Sequence, residues 1–210
     1  MSFKQHWENV YSTKKLNEVS WYQPNPATSL NFIGELGIPK DAAIIDIGGG
    51  DSFLVEHLLA NGFTNITVLD ISDEALNRAK ERLGEKAVQV KWIASDITTF
   101  IPSEKYDCWH DRAAFHFLTT EEQINSYLSV SETALKDGGK LVIGTFSEAG
   151  PDKCSGLSVR QYSETSLTTV LKKVVRKIKC IYTDHITPFN KVQNFLFCSF
   201  KKCQYTNGYT

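Results

Sequence analysis

The segment Ile44-Ile45-Asp46-Ile47-Gly48-Gly49-Gly50-Asp51-Ser52 constrains the fold of this chain more than any other part of it. An apolar run broken by one carboxylate leads into consecutive glycines and then into an amphipathic stretch. Such a run suits a strand covered on both faces, and the glycines suit a tight turn whose backbone approaches a ligand closely. The pattern therefore predicts strand, turn and helix around a binding loop. A dinucleotide loop of the form GxGxxG is excluded by spacing, because counting from Gly48 puts the third glycine at Phe53. Asp46 argues the same way: a carboxylate beside the loop repels a pyrophosphate and suits a cationic group.

Strand and helix signals alternate on both sides of this segment. Asn25-Pro26 reads as a helix start, with Leu30, Ile33 and Leu36 inward and Gly37 closing it. Strands are expected at Ala42–Ile47, Ile66–Asp70, Gln89–Ile93, Tyr106–His110 and Lys140–Phe146. Helices are expected over Ser52–Asn61, after the cap Ser72 and up to Gly84, and after the capping box Thr120-Glu121-Glu122-Gln123. Past a loop at Ser147–Arg160, a helix begins near Ser163. Strands Ile178–Thr187 and Gln193–Phe200 follow, paired through Pro188-Phe189-Asn190. The order βαβαβαβαβ-αββ predicts an α/β fold: a doubly wound, seven-stranded, mostly parallel sheet with one antiparallel strand. Residues just past the strand carboxyl ends should line the ligand crevice. The domain is expected over 25–203, preceded by an aromatic lid segment at 1–24 and followed by a tail at 204–210.

A length of 210 residues suits one such domain, and a formal net charge of -1 gives no reason to expect nucleic acid or a membrane as partner. Residues 1–139 hold 12 Lys+Arg against 20 Asp+Glu, whereas residues 140–210 hold 11 against 4. The basic run Lys172, Lys173, Arg176, Lys177, Lys179 reads as the solvated face of a helix and its exit; an acidic partner is the other reading. Five cysteines (Cys108, Cys154, Cys180, Cys198, Cys203) with no CxxC spacing read as reduced thiols of a cytoplasmic protein, with no metal site. The N-terminus lacks an apolar secretory core, and no apolar run reaches the roughly 18 residues of a membrane span. Oligomeric state is not legible.

Taken in order, the motifs resemble those of class I, Rossmann-like S-adenosylmethionine (SAM)-dependent methyltransferases. Their first motif, acidic-x-Gly-x-Gly-x-Gly after a strand, is met by Asp46, Gly48 and Gly50, with Gly49 between and Ser52 in place of the last glycine. Their second, an acidic residue on the ribose hydroxyls, is met by Asp70, followed by Ile71. Their third, an Asp reading the adenine amino group, is met by Asp96, with the Ile97 N–H beside the ring. The resemblance implies SAM as cofactor, S-adenosylhomocysteine (SAH) as product and no metal. It implies a fourth motif facing the transferred methyl, here Trp109-His110-Asp111-Arg112, with Tyr22 and Trp21 as a cover over the donor.

The acceptor is less defined. Asp-Arg after the fourth strand resembles thiol methyltransferases of the thiopurine type. Trp7, Tyr11 and Trp21-Tyr22 resemble protein-lysine methyltransferases of the elongation-factor and citrate-synthase kinds. The acceptor is accordingly a small molecule or a protein side chain; a non-catalytic SAM-binding module is the alternative. His110 is the expected general base, since a histidine titrates near neutral pH; Asp111 and His116 are further catalytic candidates. Asp111 and Arg112 also read as a structural ion pair. His185-Ile186-Thr187, Cys154 and Arg160 are expected at the rim of the site.

Overall fold

A computed structural model describes residues 2–203 of the chain; the expected tail at 204–210 falls outside the described residues. The elements are α1 (Phe3–Thr13), α2 (Ala27–Glu35), β1 (Ala43–Ile47), α3 (Leu54–Ala60), β2 (Asn65–Asp70), α4 (Asp73–Leu83), β3 (Val90–Ala94), β4 (Tyr106–Arg112), α5 (Glu121–Ala134) and β5 (Leu135–Phe146). A two-stranded ribbon, β6 (Lys153–Cys154) and β7 (Leu157–Ser158), interrupts the next connection. Then come α6 (Glu164–Leu171), β8 (Val175–Ile186) and β9 (Val192–Lys202).

The main sheet has seven strands, mostly parallel with one antiparallel, as expected; they lie in the order β3-β2-β1-β4-β5-β9-β8, with β9 antiparallel to both neighbours. All of β1 is buried because helices cover both faces. Leu128, Tyr127 and Ile124 of α5 and Leu167 and Leu171 of α6 fill one side. Phe32 and Ile33 of α2, Leu54, Val55 and Leu58 of α3, and Leu76 of α4 fill the other. The order reverses between β1 and β4, which places the crevice at the carboxyl ends of β1, β2 and β4. β8 runs in the same sense as β1–β5, so its end at His185-Ile186 reaches that same side.

Most boundaries follow local chemistry. Ser72, Thr120 and Ser163 cap α4, α5 and α6 through their side chains, and Gly37 follows α2 in a left-handed conformation. α2 starts one residue later than Asn25 as cap implies: Pro26 occupies the cap position without a side-chain bond.

The N-terminal segment is helical and docked. Ser2 and Gln5 form a capping box, and Trp7, Val10 and Tyr11 are buried. Glu8 accepts bonds from the Ser72 hydroxyl (2.7 Å) and the Asp73 and Glu74 amides (2.9 and 3.1 Å), so it caps α4 from outside. Arg78 of α4 reciprocates, donating to the Tyr11 and Lys14 carbonyls at the end of α1.

Two expectations are corrected. Cys180 and Cys198 form a disulfide, because β8 and β9 pair them directly opposite each other; only Cys108, Cys154 and Cys203 are free. The register of that pairing is not legible from spacing alone, so the thiols read as reduced in sequence. The basic run is not a helix face: Arg176, Lys177 and Lys179 lie on the edge strand β8, where Lys177 pairs with Glu164 and Lys179 with Glu35. Charge on an edge strand discourages further strand pairing. Among the described residues no helix is long and apolar enough to cross a membrane.

Candidate functional site

A cavity with about 1520 Å³ of empty space, open solvent at its mouth included, lies over the carboxyl ends of the parallel strands. The expected donor-side residues Tyr22, Asp46, Gly48, Gly49, Ser52, Asp70, Ile71, Asp96 and Ile97 all line it, and so does His110. Gly50 lies just behind.

The glycine loop is shaped to leave space. Gly48 and Gly50 have positive φ (63° and 39°), which glycine adopts without strain. A Cβ on Gly50 would lie 2.7 Å from Asp70 Oδ2, and one on Gly49 would lie 2.6 Å from Asp46 Oδ2. The missing side chains thus bring the two carboxylates against bare backbone. The loop is clamped from α4: Arg78 and Arg82 both pair with Asp51, and Arg82 also donates to the Ser52 carbonyl. Sequence reasoning missed this clamp, although Arg78 and Arg82 are four apart on one helix face.

Asp70 ends β2 almost fully buried. Oδ1 accepts the Ser72 amide at 2.9 Å; Oδ2 has no hydrogen-bond donor among the described residues. Burial raises its pKa to about 7, since an ionised carboxylate there lacks the solvation it has in water. A ribose diol would supply the missing donors. Asp96 is held as a turn by Thr98, whose amide and hydroxyl both donate to Oδ1, and it faces the cavity with Ile97. Glycine cradle, diol acceptor and the Asp96–Ile97 edge fit an adenosyl group without a side chain in the way.

The acceptor-side expectations fare differently. His110 lies beside Asp46 on neighbouring strands. Its Nδ1 meets Asp46 Oδ1 at 2.6 Å and its Nε2 meets Ser29 Oγ at 2.9 Å, so both ring nitrogens are engaged. Asp111 does not reach the cavity. Side chains alternate along a strand, and Asp111 points to the α5 side. There it accepts the Ala114 and Phe115 amides and the Tyr127 hydroxyl, and burial raises its pKa to about 6. It forms no ion pair with Arg112, contrary to the structural reading of that pair. His116 is fully buried between Phe146 and Phe117, its Nδ1 accepting the Phe146 amide at 3.3 Å. Burial, reinforced by Arg112, lowers its pKa to about 3.

That depression has a sign. An unfolded histidine takes a proton near pH 6.5, whereas folded His116 refuses it down to about pH 3. Stability supplied by the neutral ring is therefore present above pH 6.5 and is lost as pH falls toward 3. Asp111 and Asp70, with raised pKa values, act in the opposite sense, so the contribution is isolated by comparison. His116→Gln keeps an acceptor but cannot titrate. In urea melts from pH 7 to 4, the wild type should lose more stability than the variant; parallel curves would show that His116 does not drive the acid limb.

The same cavity includes an aromatic chamber walled by Trp7, Trp21, Phe117, Phe146 and Phe195. Its polar groups are few: Arg112 at the end of β4, Gln193 on β9 and Cys154 on the ribbon. The Cys154 thiol is pushed up to about 11 by burial, a poor nucleophile. His185 Nε2–H donates to the Ser20 carbonyl, 2.7 Å away. Arg160 points away to an exposed pair with Glu121.

Comparison with known proteins agrees with this geometry. Residues 44–139 match the family model described as a methyltransferase domain. A malonyl-[acyl-carrier protein] O-methyltransferase 2 from Ilyobacter polytropus is 31% identical over 107 residues, 50% of this chain and 39% of that protein. An N-terminal Xaa-Pro-Lys N-methyltransferase 1-B from Xenopus laevis is 30% identical over 102 residues, 47% of this chain and 45% of that one. The chain thus spans well under two thirds of these relatives. The N-methyltransferase NodS from Bradyrhizobium japonicum WM9, solved with SAH, superposes with a TM-score of 0.72 at 19% identity, covering 96% of this chain and 98% of that one. Residues 44–139 thus match a methyltransferase domain, and the fold over the described residues is that of the Rossmann-like methyltransferases.

Proposed function

We propose that the protein binds SAM and transfers its methyl group to a small-molecule acceptor held in the aromatic chamber. The observation that carries this reading is one continuous cavity whose two ends differ: a carboxylate-rimmed glycine cradle at one, an aromatic chamber at the other, meeting at Asp46 and His110. SAM, when bound, supplies a methyl already activated by the sulfonium charge. The chain's own task is to align the acceptor for in-line attack and to exclude water. Asp70 takes the ribose hydroxyls, Asp96 and Ile97 the adenine edge, and the Asp46 carboxylate faces the cationic end. Tyr22, packed edge-on to Phe53 at 5.8 Å, and Trp21 cover the donor.

His110 is a positioning residue in this reading. With Asp46 on one nitrogen and Ser29 on the other, it orients the Asp46 carboxylate and ties β1 and β4 to α2. Among the described residues no other histidine lines the chamber. The acceptor therefore arrives as a nucleophile in its own right, as an ionised acid or thiol does, rather than being deprotonated on the enzyme. A small molecule is favoured over a protein chain because the strap Ser20-Trp21 crosses the chamber, bonded through its carbonyls to His185 and Arg112.

The test is incubation of the protein with methyl-labelled SAM and a cell extract split by ultrafiltration. Label in the low-mass fraction supports the proposal. Label only in the protein fraction assigns a protein acceptor. SAM binding by calorimetry with label in neither fraction supports a non-catalytic SAM-binding module.

A further inference from the structure

Arg112 differs from the other arginines that are shielded from solvent; Arg176 is exposed. Arg78, Arg82 and Arg160 each pair with a carboxylate. Arg112 has no carboxylate within ion-pair distance among the described residues, although it is partly buried at the end of a central strand. It makes one hydrogen bond, from Nη1 to the Trp21 carbonyl at 3.3 Å, and lies over the Phe195 ring at 5.2 Å. A guanidinium carries five N–H donors, so most of its donor capacity is unspent. The nearest negative group, Asp46, is already engaged by His110. Gln193 shares the Phe195 face of β9, two residues away. It is mostly buried, lines the cavity and has no side-chain hydrogen bond. A charged group and an amide thus face the same apolar chamber with donors unmatched.

Leaving such groups unpaired is costly unless a ligand completes them. Burial also draws the Arg112 pKa down to about 10, against the opposing pull of Cys154 and Asp46. The aromatic walls supply the apolar surface that a flat organic body would cover. We propose that Arg112, with Gln193 beside it, is the recognition site for a carboxylate on the methyl acceptor, which is a small organic acid with an apolar body. The carboxylate takes the planar guanidinium edge that a neutral group leaves unsatisfied.

This inference rests on the methyl-transfer reading, and its test keeps the two apart. SAH binding to the protein is measured first by calorimetry; its absence sinks the methyltransferase reading itself. The SAH-loaded protein is then titrated with benzoate, phenylacetate, cinnamate and hexanoate, each beside its own amide. At least one acid should bind at least tenfold more tightly than its amide. Arg112→Gln should abolish that preference, Arg112→Lys should keep part of it, and SAH affinity should stay the same in both. If every amide binds as well as its acid, or if Arg112→Gln retains the full preference, the proposal falls. Should Arg112→Gln fail to fold, the acid–amide comparison in wild type and in Arg112→Lys still decides.

Discussion

Replacing Asp70 by Ala should weaken SAM binding by about two to four orders of magnitude. Two charge-assisted hydrogen bonds to the ribose diol, at about 1.5–3 kcal/mol each, account for that range. Asp70→Asn is the companion variant, since it still offers Ser72 an acceptor and so protects the start of α4. A pH signature separates a ligand contact from a structural one. With its pKa raised to about 7 in the free protein, Asp70 is largely protonated at pH 6, and the diol favours its ionised form. Binding below pH 7 should then release a proton, and SAM affinity should rise with pH up to about 7 and level off above. Calorimetry in buffers of different ionisation enthalpy reads the released proton directly. An affinity that is flat with pH, or unchanged in both variants, removes Asp70 from the donor site.

Trp7→Ala should destabilise the protein by about 3–5 kcal/mol, the usual cost of emptying a large buried aromatic site. Trp7 packs edge-on against Phe117 (5.1 Å) and Trp21 (5.6 Å) and tilts against Tyr11 (6.0 Å). In a domain of this size the loss corresponds to roughly 6–20 °C in melting temperature. A lid that merely closes over ligand would cost almost nothing when trimmed. The expected outcome is therefore a large drop in stability without ligand, measured by thermal melting; a shift below a degree would restore the picture of a detachable lid.

The donor half of the site was legible because its signals are local. The strand, the glycines and Asp46 occupy one short segment, and Asp70 and Asp96 end consecutive strands. The acceptor half depends on contacts distant in sequence. Whether His110 is free depends on Ser29, 81 residues away, and no local pattern reports that. Arg112 is instructive because the clue was present. Adjacent opposite charges suggested an ion pair, but on a strand neighbours face opposite ways, so Asp111 and Arg112 are separated by the sheet itself. The helix α1 was obscured by its short apolar stripe and is stabilised largely from outside itself, by Arg78 and by the α4 end that Glu8 caps.

The position of β9 has a consequence for how the molecule is made. It follows β8 in the chain yet sits between β5 and β8 in the sheet. During synthesis β8 therefore emerges before the strand that will hold it, and β5 waits with an open edge of unpaired backbone groups. The first five strands can assemble in chain order, whereas the pairing of β9 with β5 is a long-range step of the slow kind, with or without β8 already paired to β9 as a hairpin. Until then the β5 edge is open to pairing with any other strand, its own β9 or that of another copy.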